Sequence, residues 1–177
     1  MSISASEARK TLFPLIERVN EDQEAIEIVS RKGNAVLMPA DEYAAWQETA
    51  YLFRSPSNAR RLLDAYDRAR VGKTQVHELD RSDESVSQSR DVRMRLVWDE
   101  AAWEDYTYWQ TADRRILKRI NLLIDACLRE PFEGIGKPEQ LKYGARGSWS
   151  RRINEEHRLV YLVTGEDLVI LQSRYHY

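Results

Sequence analysis

Between Gly136 and Tyr177 the chain gathers residue types that can bind a phosphate chain and move protons beside it. Glu139 is a carboxylate flanked by Lys137 and Lys142, Arg151, Arg152 and Arg158 follow among apolar residues, and His176-Tyr177 closes the run. Guanidinium groups make planar, bidentate phosphate contacts, and ammonium groups act as point charges. A carboxylate and an imidazole are the side chains best suited to taking and giving a proton near neutral pH. By spacing alone, the same residues also describe a solvated basic strand face with a loop acid in a surface pair. His77, His157 and His176 show no ligand spacing with one another or with Cys127, so neither a metal nor a cofactor is expected.

Strands near 148–153, 158–163 and 167–174 must hold these groups, with turns at Asn154-Glu155-Glu156 and Gly165-Glu166. Residues 168–171 are apolar on both alternating sets, which predicts a central strand covered on both faces. Upstream, a strand at 93–98 leads into an acid-started helix (Asp99, Glu100) with Trp103, Tyr106 and Trp109. A second helix from about Asp113 aligns Ile116, Ile120, Leu123, Ile124 and Cys127, the cysteine as buried filler. The expected fold of this part is an antiparallel sheet backed by two helices, α+β.

The first half is built differently. Ser4 and Glu7 form a capping box opening a helix with Ala8, Leu12, Leu15, Ile16 and Val19, and Pro14 predicts a kink or an early end. A hairpin follows, turning at Arg31-Lys32-Gly33-Asn34, then a helix from Pro39-Ala40-Asp41 to about Phe53. Helix, hairpin and helix carry too little apolar surface to stand alone comfortably, so a homodimer is expected. Ser55-Pro56 starts another helix with a Leu62, Leu63, Tyr66, Ala69 stripe and with Arg60, Arg61, Arg68 and Arg70 exposed. Gly72 ends it, and an extended piece at 74–80 is anchored by Val76 and Leu79. This stretch reads either as an arm that folds onto another surface or as a frayed helix with a tail. Residues 82–90 are a polar linker.

Bulk composition narrows the class. Hydrophobic residues at 42% and charged residues at 32% of 177 residues describe a globular chain of one or two domains. No apolar run reaches spanning length and no leader is readable, so no membrane association is expected; the lone Cys127 fits a reducing cytoplasm. A net charge of -2 argues against whole-chain binding of nucleic acid, but the cations between Gly136 and Arg158 outnumber the acids there and can focus phosphate locally.

The motifs point to known families. Lys137-Pro138-Glu139, Leu141-Lys142, Trp149-Ser150-Arg151-Arg152-Ile153, Glu155-Glu156-His157-Arg158-Leu159-Val160-Tyr161 and Arg174-Tyr175-His176-Tyr177 resemble the YoeB toxins of the RelE/ParE superfamily, over residues 94–177. Ser6-Glu7-Ala8-Arg9, Val36-Leu37-Met38, Glu42-Tyr43, Glu48-Thr49-Ala50-Tyr51-Leu52 and the run from Arg54 to Leu62 resemble the YefM antitoxins of the Phd/YefM family. The resemblance implies a type II toxin–antitoxin pair in one chain. Residues 1–54 would be a dimerising, DNA-binding domain, 55–81 a toxin-neutralising arm, 82–92 a linker and 93–177 a RelE-like endoribonuclease. About ten linker residues span at most about 30–36 Å and hold the arm at roughly millimolar effective concentration.

For the toxin half, the resemblance implies metal-independent cleavage of messenger RNA on the ribosome. Glu139 would be the general base, Arg158 the clamp on the phosphoryl oxygens, His176 the general acid and Tyr177 an ordering group. Lys142, Arg152 and Lys137 would hold flanking phosphates. For the antitoxin half, it implies operator DNA as partner, met by Arg9 and Arg31, with Lys10 and Lys32 as weaker contacts. The alternative is a DNA-binding autorepressor with the toxin half as corepressor or passenger.

Overall fold

The computed structural model describes residues 1–82 and 94–177, so most of the expected linker and the start of the strand expected at Arg93 lie outside the described residues. The chain forms two compact units, Met1–Gln47 and Glu48–Tyr177, and the division falls inside a helix.

In the first unit, β1 (Ser2–Ser4) leads into α1 (Ala5–Lys10), α2 (Leu12–Asp22), β2 (Ile26–Val29) and β3 (Ala35–Leu37). Ser4 caps α1 by accepting from the Glu7 N–H at 3.2 Å. The expected break comes at Thr11 rather than at Pro14, which sits in the first turn of α2. Proline has no N–H to give the Lys10 carbonyl and its ring crowds that oxygen, so the helix parts one turn upstream. Strand β1, not anticipated from Ser2-Ile3-Ser4, pairs parallel with β2, and β2 pairs antiparallel with β3. Ala8, Leu15, Val19 and Ile26 make a small core.

Helix α3 (Ala40–Phe53) carries the chain into the second unit, followed by α4 (Pro56–Arg70). Ser55 caps α4 and Pro56 sits at its first position, where its missing N–H costs nothing. Then come β4 (Arg95–Trp98), α5 (Glu100–Ala112), α6 (Arg114–Arg129), β5 (Glu139–Gln140), β6 (Ser148–Arg152), β7 (Arg158–Thr164) and β8 (Asp167–Gln172). The sheet order is β4-β8-β7-β6-β5. Its β5–β8 part is antiparallel as expected, but β4 lies parallel to β8. The sheet is therefore mixed: the helix pair brings the chain back as β5, running opposite to β4, and three further reversals give β8 the direction of β4.

Strand β8 is central and buried on both faces. On one face Trp98, Leu159, Tyr161, Leu168 and Ile170 pack against Tyr106, Trp109, Ile120, Leu123 and Ile124 of α5 and α6. On the other, Val97, Val160, Leu162, Val169 and Leu171 pack against Leu52, Leu62, Ala65 and Ala69 of α3 and α4. The stretch expected to be an arm thus forms the second cover of the sheet. Arg61 and Arg68, expected exposed, flank its buried stripe and pair with α5. Arg68 grips the buried Asp99 carboxylate at 2.8 and 2.9 Å, and Arg61 reaches the Ala101 carbonyl at 2.8 Å. Beyond α4, Gln75 bridges to Trp98, Val76 is exposed, and His77 stacks on Trp103 at 3.9 Å.

Leu62 is fully buried between α4 and the sheet. Leu62→Ala should lower the stability of the second unit by about 2–5 kcal/mol, through lost transfer energy and a cavity. Urea unfolding followed by tryptophan fluorescence measures this, and a loss below about 1 kcal/mol would mean that α4 is not an integral cover.

Candidate functional site

Strand register collects the sequence-predicted groups on the face that α3 and α4 cover. Glu139 is paired with Ser150, Ser150 with Val160 and Arg152 with Arg158. Alternation along each strand puts all five residues on one side. Adjacent arginines consequently meet opposite fates. Arg152 is exposed, and its backbone N–H donates to the Gly136 carbonyl at 2.7 Å. Arg151 is fully buried and donates to the Glu130, Glu133 and Ile135 carbonyls and to the Tyr161 hydroxyl. It thereby fixes the loop that leads to Lys137 and Glu139.

Arg158 is 5% exposed. Its Nη1 donates to the carbonyls of Asn154, Glu155 and His157 at 2.9–3.2 Å, which fixes the plane of the guanidinium. Its Nε donates to Glu48 Oε1 at 2.5 Å, and Ser150 Oγ donates to the same oxygen at 2.7 Å. Glu48, only 4% exposed, lies in the second half of α3. The next residue, Thr49, accepts the Lys142 backbone N–H at 2.9 Å. Tyr51 lies against the face of the Arg158 guanidinium, 4.7 Å from ring centre to Cζ, and donates to the Glu156 carbonyl at 2.6 Å.

His176 is held from two directions. Its backbone N–H donates to Asn58 Oδ1 at 3.0 Å, and its carbonyl accepts from Ser55 Oγ at 2.9 Å. Its Nε2 meets Asp105 Oδ1 at 2.8 Å, and Arg61 Nη2 reaches the same carboxylate oxygen at 3.2 Å. Asp105 is 2% exposed and also accepts the Ser173 N–H. Tyr177 is 80% exposed and packs edge-on against Tyr175; a bond to Glu156, then desolvation, pushes its phenol above the ordinary value. The Tyr175 ring packs at a tilt against Tyr51, 5.0 Å between centres.

Lys137 is exposed in a left-handed backbone conformation (φ 50°), and Lys142 is half-buried. In the first unit Arg9, Lys10, Arg31 and Lys32 are all exposed. Cys127 is buried, its thiol pushed up to about 11 by desolvation. Among the described residues, no three His, Cys, Asp or Glu side chains group as metal ligands, and no helix is long and apolar enough to cross a membrane.

Three residues central to this geometry escaped the sequence. Glu48 and Asp105 are acids inside helices whose partners lie far along the chain, and Ser150 is one hydroxyl in a strand. The available signal was membership of family motifs, Glu48 in Glu48-Thr49-Ala50-Tyr51-Leu52 and Ser150 in Trp149-Ser150-Arg151-Arg152-Ile153.

A family model for the YoeB-like toxin of bacterial type II toxin-antitoxin systems matches residues 98–177, and one for antitoxin Phd_YefM matches residues 1–72. Toxin YoeB of Escherichia coli (strain K12) is 60% identical over 84 residues, 48% of this chain and 100% of that protein. Antitoxin YefM of Mycobacterium bovis is 65% identical over 72 residues, 41% of this chain and 79% of that protein. The chain belongs to the type II toxin–antitoxin families, a Phd/YefM antitoxin joined to a YoeB toxin. A solved heterotetrameric complex of YoeB-YefM from Staphylococcus aureus aligns with a TM-score of 0.46 at 45% identity, covering 48% of this chain and 99% of that one. In these terms Glu48, Thr49, Tyr51, Ser55, Asn58 and Arg61 belong to the antitoxin half, and each bonds or packs onto a toxin residue.

His157 accepts the Tyr175 N–H on Nδ1 at 3.2 Å and packs on Trp109. Desolvation holds its imidazole below the ordinary 6.5, with Glu156 opposing. A depressed imidazole contributes stability that is complete above the unfolded value and is lost as pH falls below it towards the folded value. The unfolding free energy of the second unit should therefore drop on acidification below pH 6.5, by at most about 1.4 kcal/mol per pH unit for one proton. Urea midpoints across that range test this: His157→Gln should flatten the slope, and an unchanged slope would exclude His157 as its source.

Proposed function

We propose that this chain is a latent, metal-independent endoribonuclease that cleaves messenger RNA on the ribosome and is held silent by its own antitoxin half. The carrying observation is the buried ion pair of Arg158 with Glu48. A guanidinium pre-set by three carbonyls, with an anion on its free edge, has the form of a phosphoryl clamp whose ligand place is taken.

In this reading the ribose 2′-oxygen attacks the adjacent phosphorus. Glu139 takes the 2′-hydroxyl proton, the new O–P bond forms, and the bond to the 5′-oxygen breaks. His176 protonates the departing oxygen, leaving a cyclic phosphate and a 5′-hydroxyl. Arg158 stabilises the charge that builds on the equatorial oxygens, and Tyr177 orders the site. Lys137, Lys142 and Arg152 hold the flanking phosphates. Placement and charge stabilisation are what phosphoryl transfer chiefly requires. Asp105 holds His176 Nε2, and Asn58 and Ser55 hold its backbone, which supports a silent intact chain.

The first unit binds operator DNA as a homodimer. Its exposed Phe13 (79%), Leu12 and Ile16 supply an apolar face, and exposed Arg9, Lys10 and Arg31 supply phosphate contacts. The autorepressor reading gains from the occupied Arg158, since a silenced toxin leaves DNA binding as the intact chain's activity.

Weakening the antitoxin contacts to both groups in the full chain, with Glu48→Ala, Asn58→Ala and Arg61→Ala together, should start cleavage of ribosome-bound message in a purified translation system. Adding Glu139→Ala or His176→Ala should reduce that cleavage by about 10²–10⁴-fold. No cleavage in the loosened chain would end the ribonuclease reading, and full cleavage without either group would end that group's role. Separately, Arg9→Ala should weaken binding to a palindromic operator and lower the salt slope by about one. Unchanged binding in a salt titration would remove Arg9 from the interface.

A further inference from the structure

Three donors in the toxin half converge on two consecutive antitoxin residues. Arg158 Nε and Ser150 Oγ both donate to one oxygen of Glu48, and the Lys142 backbone N–H donates to Thr49 Oγ1. Resting on the ribonuclease reading, we infer that these donors form a seat for the scissile phosphoryl group, and that Glu48 and Thr49 fill it as a built-in surrogate. Ser150 and the Lys142 amide thereby join the groups that touch substrate.

The geometry favours a phosphoryl ligand. One oxygen taking both a guanidinium N–H and a hydroxyl is the donor set that a non-bridging phosphate oxygen accepts. The seat does not depend on Glu48 for its shape. The Arg158 plane is fixed by the 154, 155 and 157 carbonyls, and Ser150 and Lys142 sit on or beside paired strands. Arg158 and Ser150 are both buried, so withdrawal of the carboxylate leaves an uncompensated cation and an unmatched hydroxyl. A second anion must replace the first. Release of the antitoxin segment and entry of a phosphodiester then become one exchange at one place.

The experiment uses the full chain, unchanged or carrying Glu48→Ala, with and without Ser150→Ala. Inorganic phosphate is titrated at constant ionic strength while melting is followed. A 2′-deoxy-substituted oligoribonucleotide, which cannot be cleaved, separates a chain phosphodiester from free phosphate. Glu48→Ala should melt about 3 °C or more higher in saturating phosphate, while the unchanged chain should not respond. Ser150→Ala in that background should weaken phosphate about tenfold or more, and the oligoribonucleotide should bind Glu48→Ala with the same Ser150 dependence. If Glu48→Ala is unfolded without phosphate, circular dichroism should show phosphate restoring the fold, and no restoration overturns the proposal. Equal phosphate responses with and without Glu48, or phosphate affinity indifferent to Ser150, also overturn it. Cleavage of ribosome-bound message by the chain carrying Glu48→Ala, Asn58→Ala and Arg61→Ala, which frees His176 as well, is read separately. Phosphate binding without cleavage sinks the ribonuclease reading and leaves the seat standing, whereas cleavage without a phosphate response does the reverse.

Discussion

The Arg158–Glu48 pair is the constraint on which the rest of the second unit depends. Both groups are almost fully buried, and neither charge is tolerable there alone. Arg158 cannot turn away, because its other edge is spent on three carbonyls in the turn before β7. Glu48 cannot leave unless something anionic takes its place. A pair of this kind contributes little net stability compared with apolar packing, but it sets what is allowed to occupy the position. It admits a carboxylate from the antitoxin half, or another anion of similar size.

The two-faced sheet puts that pair under the control of packing. On the face of α5 and α6, the toxin half buries its own aromatic and aliphatic residues. On the opposite face, Val97, Val160, Leu162, Val169 and Leu171 are covered by Leu52, Leu62, Ala65 and Ala69 of the antitoxin half. Apolar burial at about 25 cal/mol per Å² makes this cover the main source of affinity, and polar contacts at its edges set the register. Arg68 on Asp99 is one such contact, and its second carboxylate role, accepting the Ala101 N–H, ties it to the start of α5. The antitoxin half therefore behaves as a missing layer of the toxin fold.

Much of this was readable in the sequence because it is periodic. The two apolar sets of β8 announced a strand covered on both sides, and the stripes of α5 and α6 announced one of the covers. The α4 stripe was visible too, but its destination was not, since periodicity marks a buried face without naming what buries it. Strand direction was equally hidden. Nothing in Arg95–Trp98 says whether it runs with or against β8; the helix pair and the three strand reversals between them decide that. Short polar β1 left no signal. Arg151 and Arg152 are indistinguishable by type, and only the phase of β6 sends one into the core and the other to solvent. Glu48 was the hardest to see, because it meets Arg158 across 110 positions with no spacing rule to connect them.

Arg158 and His176 are restrained by different stretches of the antitoxin half, on either side of the corner between α3 and α4. Before the corner, Glu48, Thr49 and Tyr51 engage Arg158, Ser150, Lys142 and the 156 carbonyl. After it, Ser55 and Asn58 hold the His176 backbone, while Arg61 supports the Asp105 carboxylate that takes its imidazole. Contacts on one rigid corner are lost together when the corner lifts but survive singly when one is removed. In the proposed reading, the phosphoryl clamp and the proton donor are then freed by the same motion. Partial loosening of α4 alone would loosen the acid while Arg158 kept its carboxylate, and no phosphoryl group could enter. Activity is thus gated by the corner as a unit, which fits a tethered inhibitor that re-docks at high effective concentration after each brief opening.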